Sequence, residues 1–166
     1  MSSPAQRAAA SLLGLVMVAA LWWVVVGRSD QSQTQRDSLL PQEWMAVQMI
    51  DGDTFDAERD GVRERVRIIG IDTPEREQCG YEEASAALRD AVSGRTITLV
   101  SGAETDRDTY GRLLRYVEID GVDVGLTLIE DGFAVARYDS RSNQPHDRER
   151  QYWDADDASA DLCPAN

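Results

Sequence analysis

The chain has 166 residues, 42% of them hydrophobic and 28% charged, the balance of a globular domain and outside the range of a disordered chain. Its 17 basic residues are all arginine and face 30 acidic ones, for a formal net charge of −13, which argues against gripping nucleic acid through a broad basic face. A phosphate-handling role must then rest on a few placed arginines or on a hard cation such as Ca²⁺ or Mg²⁺, which carboxylates can hold.

After a short stub, residues 1–7, the stretch Ala8 to Gly27 runs for 20 apolar or small residues without a charge, flanked by Arg7 and Arg28. That length suits a membrane-spanning helix, and the bulky Leu21, Trp22 and Trp23 at its exit are unlike a cleavage site, so an uncleaved signal anchor is expected ahead of a cleaved signal peptide. Both place the rest of the chain outside the cytoplasm, membrane-anchored or secreted. Residues 28–43 are a polar linker, the folded domain is expected over 44–158, and residues 159–166 form a tail.

Short strands are predicted at Met45 to Ile50, Thr54 to Glu58 and Val62 to Ile71, with Asp51-Gly52 and Asp60-Gly61 as turns. Tyr81 to Val92 places Tyr81, Ala84, Leu88, Ala91 and Val92 on one helical face and stops at Gly94. Strands return at Thr96 to Val100 and Leu113 to Ile119. Asp123 can cap a second helix with Val124, Leu128 and Ile129 inward, and a third is expected from about Pro145 to Asp161. Five short strands interleaved with helices indicate an α+β unit whose strands curl into a small barrel.

Cys79 and Cys163 are the two cysteines, an even number in a chain expected to reach an oxidising compartment, so a disulfide is preferred over two free thiols. The single histidine, His146, sits in a polar stretch and reads as surface decoration. With one histidine in a polar stretch, neither cysteine in an activating context and no Walker-type loop, Ser/His/Asp and Cys/His catalysis and P-loop chemistry are disfavoured.

Carboxylates and arginines at the ends of the predicted strands meet a different need. Asp53 and Asp72 can give oxygen ligands to a hard cation, Glu75 can serve as a general base, and Arg67 and Arg112 can clamp phosphate oxygens with paired donors. That combination suits phosphodiester hydrolysis. One feature opposes it: strict alternation along a strand reaching Asp72 puts Arg67 and Asp72 on opposite faces, unless a bulge near Gly70 shifts the parity or the strand ends early.

The order Ile50-Asp-Gly-Asp-Thr54, Arg67-Ile-Ile-Gly-Ile-Asp-Thr-Pro-Glu75, Asp108-Thr-Tyr-Gly-Arg112 and Leu128-Ile-Glu-Asp-Gly-Phe-Ala134 resembles the staphylococcal nuclease (thermonuclease) family over roughly Val47 to Trp153. The resemblance implies a five-stranded OB-fold barrel with three helices and a Ca²⁺-dependent endonuclease that cuts DNA and RNA, leaving 3′-phosphate ends. It implies Asp53, Asp72 and the backbone carbonyl of Thr73 as Ca²⁺ ligands, Glu75 as the base that activates water, and Arg67 and Arg112 as phosphate clamps. Tyr110 and Tyr138 stand where the family stacks nucleotides, while Ser140 replaces a further tyrosine. No protein partner is implied. The alternative is an OB-fold module that binds a ligand or nucleic acid without catalysis.

Overall fold

The computed structural model describes residues 42–160 and 162–163. The expected anchor over 8–27, linker residues 28–41, and residues 161 and 164–166 of the tail lie outside the described residues. Among those described, no helix is long and apolar enough to cross a membrane.

Five strands close into a barrel: β1 (Gln42–Met49), β2 (Thr54–Arg59), β3 (Val62–Ile68), β5 (Thr96–Val100) and β6 (Leu113–Ile119), with β4 (Ile71–Asp72) lying between β3 and β5 in the chain but outside the barrel. The spatial order is β3-β2-β1-β5-β6, and a parallel pairing of β3 with β6, Val66 opposite Leu113 and Ile68 opposite Arg115, joins the two edges. Closure leaves neither edge of the barrel open to pair with another chain. An irregularity between Ala46 and Gln48 in β1 supplies local curvature. Asp60 and Gly61 take positive φ of 52° and 77°, the geometry of the two-residue turn that joins β2 to β3 with matching twist. Inside lie Phe55, Ala57, Val66, Ile97, Leu99 and Val117, each at most 3% exposed.

Three helices are seen among the described residues. In α1 (Tyr81–Val92), the spacing of Ala84, Leu88 and Val92 puts three fully buried side chains against the barrel. The next, α2 (Val124–Glu130), follows the short strand β7 (Val122–Asp123). Asp123 caps it by accepting a hydrogen bond from Leu126 N at 3.2 Å, and Leu128 and Ile129 turn inward. The third, α3 (Glu149–Ala158), is shorter than expected at both ends. The chain from Pro145 to Arg148 is instead spent seating His146.

His146 is a correction to the sequence reading. It is 7% exposed, and its Nδ1 shares a 2.8 Å hydrogen bond with the Tyr116 hydroxyl. Burial holds its pKa below the ordinary histidine value and pushes that of Tyr116 up to about 12. Tyr152 joins the same aromatic group and donates its hydroxyl to Asp123, which also pairs with Arg148 at 2.6 Å. This network fastens α3 to β6 and α2, and through them the segment that leads to the site.

The third strand also differs from expectation. Instead of running from Val62 to Ile71, it ends at Ile68, and the chain restarts as β4, which pairs with β8 (Val135–Ala136) rather than with the barrel. Gly70 makes the break, with φ at 77°. A methyl group there would come within 2.5 Å of the His146 ring, so glycine is required both for the turn and for the space. Cys79 and Cys163 are joined by a disulfide that spans 84 positions and ties the loop before α1 to the tail after α3. A loop of that length carries a chain-entropy contribution of roughly 4 to 5 kcal/mol.

Candidate active site

The break at Gly70 removes the parity problem. With β3 and β4 no longer one strand, Arg67 and Asp72 face each other, Nη2 lying 3.7 Å from Asp72 Oδ1. Arg67 stands opposite Thr54 across the β2–β3 ladder. Its Nη2 lies 3.1 Å from Asp53 Oδ2, and the guanidinium donates to the carbonyls of Ile68 at 2.6 Å and Ile71 at 2.8 Å. Arg67 is 7% exposed and Asp53 6%, so the guanidinium is held rigidly in low-dielectric surroundings at the end of the barrel.

Asp53 is positioned by the Asp51-Gly52 turn. Asp51 Oδ1 accepts from Asp53 N at 3.1 Å and from Thr54 N at 2.7 Å, fixing the chain where it enters β2. Gly52 is needed for close approach, because a methyl there would lie 2.8 Å from Thr73 Oγ1. Asp53 in turn accepts from Thr54 Oγ1 at 2.9 Å and from the backbone N and Oγ1 of Thr73 at 3.3 and 3.2 Å. Burial raises its pKa to about 6 against the opposing pull of Arg67, with Asp51 adding to the rise.

Arg112 reaches the cluster from the far side. Its Nη1 donates to Thr54 Oγ1 at 3.3 Å, while its Nε donates to Asp108 Oδ2 at 2.6 Å. Asp108 also accepts from the backbone of Tyr110 and Arg112, both at 2.9 Å, so one carboxylate organises the whole turn. Burial pushes the Asp108 carboxyl up, but the hydrogen bonds from Arg112 and Tyr110 outweigh it and hold the pKa below the usual value.

Asp53, Arg67, Asp72, Glu75, Tyr110, Arg112 and Tyr138 all line one cleft of about 470 Å³. Thr73 does not line it and is buried behind Asp53. Glu75 is exposed on the loop after β4. Tyr110 is 85% exposed with the Arg112 guanidinium 5.4 Å from its ring centre; the ring of Tyr138 has Arg67 at 5.3 Å and Arg137 at 5.6 Å. Ser140 is exposed and donates its backbone N–H to Glu149.

Sequence reasoning gave Asp51 no role beyond its turn, and none to Thr54, Asp108 or Arg137. Asp51 and Asp108 sit in the quoted motifs, and an aspartate two or three residues before the functional side chain is a signal for such a turn. Arg137 donates to Asp72 Oδ2 at 3.0 Å across the β4–β8 pair, and no spacing in the sequence points to that contact.

Among the described residues, no group of three or more His, Cys, Asp or Glu side chains gathers around a point where a metal ion could sit. The oxygen donors that the family resemblance implies are the carboxylates of Asp53 and Asp72 with the carbonyl of Thr73. That set is all oxygen, with Arg67 lying 3.1 Å from Asp53 and 3.7 Å from Asp72, and Arg137 3.0 Å from Asp72. It fits a hard cation that keeps several waters in its shell, and it is a poor match for Zn²⁺.

Comparison with known proteins shows the family to which the chain belongs. The family model described as staphylococcal nuclease homologue matches residues 65–161. Endonuclease YncB of Bacillus subtilis is 36% identical over 95 residues, covering 54% of this chain and 45% of its own length. Thermonuclease of Staphylococcus intermedius is 27% identical over 133 residues, covering 76% and 78%, and Protein ParB of Escherichia coli is 32% identical over 149 residues, covering 84% and 73%. The chain spans about half the length of the first curated relatives it matches. With more than half of its residues matched by the family model, the chain belongs to the staphylococcal nuclease homologue family.

Proposed function

We propose that this protein is a Ca²⁺-dependent endonuclease that hydrolyses the phosphodiester bonds of DNA and RNA and leaves 3′-phosphate ends. The observation that carries the reading is the convergence of Arg67 and Arg112 on one cleft with Asp53, Asp72 and Glu75. Two guanidiniums facing a carboxylate cluster suit phosphoryl oxygens, and nucleases among the relatives support the same class of reaction.

Asp53, Asp72 and the Thr73 carbonyl would hold the ion, which when bound supplies positive charge to a phosphate oxygen. Glu75 takes the proton from the attacking water, and its exposure leaves room for that water beside it. Arg67, fixed by the carbonyls of Ile68 and Ile71, presents donors that need no reorganisation as charge builds on the phosphorus. Arg112, held at Nε by Asp108, steadies the leaving 5′-oxygen side. Tyr110 and Tyr138 offer ring faces to the flanking nucleotides.

The domain expected over 44–158, whose first strand begins at Gln42, and the anchor or signal over 8–27 belong to the same proposal. The Cys79–Cys163 disulfide supports export, because such bonds persist in oxidising compartments. The test is incubation of the purified protein with single-stranded DNA and RNA in Ca²⁺ or in EGTA. Cleavage in Ca²⁺ that stops in EGTA is the expected result, and no cleavage in Ca²⁺ would sink the proposal.

A further inference from the structure

The segment that carries Glu75 is weakly held by its own contacts. Residues 75–79 are all exposed, and their hydrogen bonds are local: Glu75 N donates to Gln78 Oε1 at 2.8 Å, Gln78 N to Glu75 O at 2.9 Å, and Tyr81 N to Gln78 O at 3.3 Å. Glu77 within it and Gly80 just after it have positive φ of 73° and 86°, a conformation that is uncommon at the non-glycine position. At the front end, β4 is anchored by its pairing of Asp72 with Val135.

Support at the back end comes from the tail. A methyl on Gly80 would come within 2.8 Å of Leu162 Cδ2, 3.2 Å of Pro74 Cγ and 3.5 Å of Cys163 Sγ, so the loop closes against Leu162 and the bridge. Upstream, the carbonyl of Ala160 lies against Gly132, where a methyl would approach it to 2.2 Å. Together the tail and the bridge wall a cleft of about 270 Å³ behind Asp72 and Thr73. The one covalent fixture of the Glu75 loop is therefore Cys79–Cys163, with Cys79 itself exposed to solvent.

We propose that the Cys79–Cys163 disulfide positions Glu75, so that the protein works as a nuclease with the bridge closed and loses its chemical step when the bridge opens. The inference rests on the nuclease reading above. Opening requires a dithiol reductant: it gives two electrons and two protons, the Sγ–Sγ bond breaks, Cys79 and Cys163 become thiols, and the reductant closes to its own disulfide. A general base must lie within hydrogen-bond reach of its water, and a misplacement of about 1 Å costs roughly 100-fold. Binding of the polynucleotide through Arg67, Arg112 and the tyrosines does not pass through the loop.

The experiment measures kcat and KM on a single-stranded DNA oligonucleotide in Ca²⁺, before and after treatment of the full chain with a dithiol. Thiols are titrated, and near-ultraviolet circular dichroism follows the fold. We expect kcat to fall roughly 10-fold or more while KM changes by less than about 3-fold, and re-oxidation to restore kcat. In a Glu75→Gln variant the loss is already present with the bridge closed, and reduction takes nothing further. Reduced protein with two titrated thiols and unchanged kcat overturns the inference alone, as does an equal loss on reduction in Glu75→Gln. Collapse of the near-ultraviolet signal on reduction also overturns it, since the bridge then holds the fold and not the loop. Oxidised protein that fails to cleave overturns the nuclease reading and this inference with it.

Discussion

The guanidinium of Arg67 lies 3.1 Å from the carboxylate of Asp53, with both residues less than a tenth exposed and neither on the same strand. A buried pair of this kind is weak evidence for stability, since removing two charges from water offsets most of their attraction. Under the proposed function the pair is held for chemistry. Replacing Arg67 by Ala is expected to lower cleavage by about 100-fold or more, and Arg67→Lys to rescue little, because a single ammonium nitrogen cannot span the separate Nη1 and Nη2 positions that reach Ile68 and Ile71 and also present a planar fork to phosphate. Initial rates on single-stranded DNA check this, and near-wild-type activity in Arg67→Lys would contradict it.

Gly70 controls whether Arg67 and Asp72 meet. Gly70→Ala forces a methyl into the His146 ring and strains a backbone at φ 77°, so unfolding in urea should show a loss of about 2 kcal/mol or more. Activity should fall further than stability explains at temperatures where the variant is still folded.

Asp139, the residue after Tyr138, gives a pH signature in stability. Hydrogen bonds from Arg141, with further support from Trp153 Nε1 at 2.7 Å, hold its carboxyl at about 2, below its unfolded value. A depressed folded pKa contributes stability that is present above the unfolded value and lost as pH falls through the folded one. The gap in unfolding free energy between the native protein and Asp139→Asn should be on the order of 1 to 2 kcal/mol at pH 7, and should narrow between about pH 4 and pH 2. A gap that stays constant over that window contradicts the assignment.

Net charge bears on affinity. A chain at −13 that meets phosphate through Arg67 and Arg112 neutralises few backbone charges. The slope of log affinity against log salt for single-stranded DNA should be about −0.7 per phosphate contact, hence roughly −1 to −2. A slope steeper than about −4 would mean a broad basic surface is at work.

Much of the site could be read from the chain because its parts are local. Asp51-Gly-Asp53 is a turn with a fixed hydrogen-bond pattern, and Asp108-Thr-Tyr-Gly-Arg112 closes on itself through one carboxylate. Helices α1 and α2 were legible for the same reason, as apolar spacing with end signals. What escaped depends on packing between distant segments. The parity of Arg67 and Asp72 allowed a bulge near Gly70 or an early strand end without deciding between them; the contact that goes with the break is His146, a residue 76 positions later whose polar neighbours give no hint of burial. The Arg137 contact with Asp72 follows from the β4–β8 pairing, which two-residue strands cannot announce. The helix α3 starts at Glu149 and not near Pro145 because seating His146 against Tyr116 uses the chain in between.

The most direct measurement is the rate of single-stranded DNA cleavage in Ca²⁺ by the full protein and by Asp53→Asn and Glu75→Gln variants, with circular dichroism confirming that each is folded. The account predicts cleavage by the native protein that EGTA abolishes, a loss of at least about 100-fold in Glu75→Gln, and in Asp53→Asn a loss that higher Ca²⁺ partly recovers. Cleavage that persists in EGTA, or that both variants perform at the native rate, would contradict it.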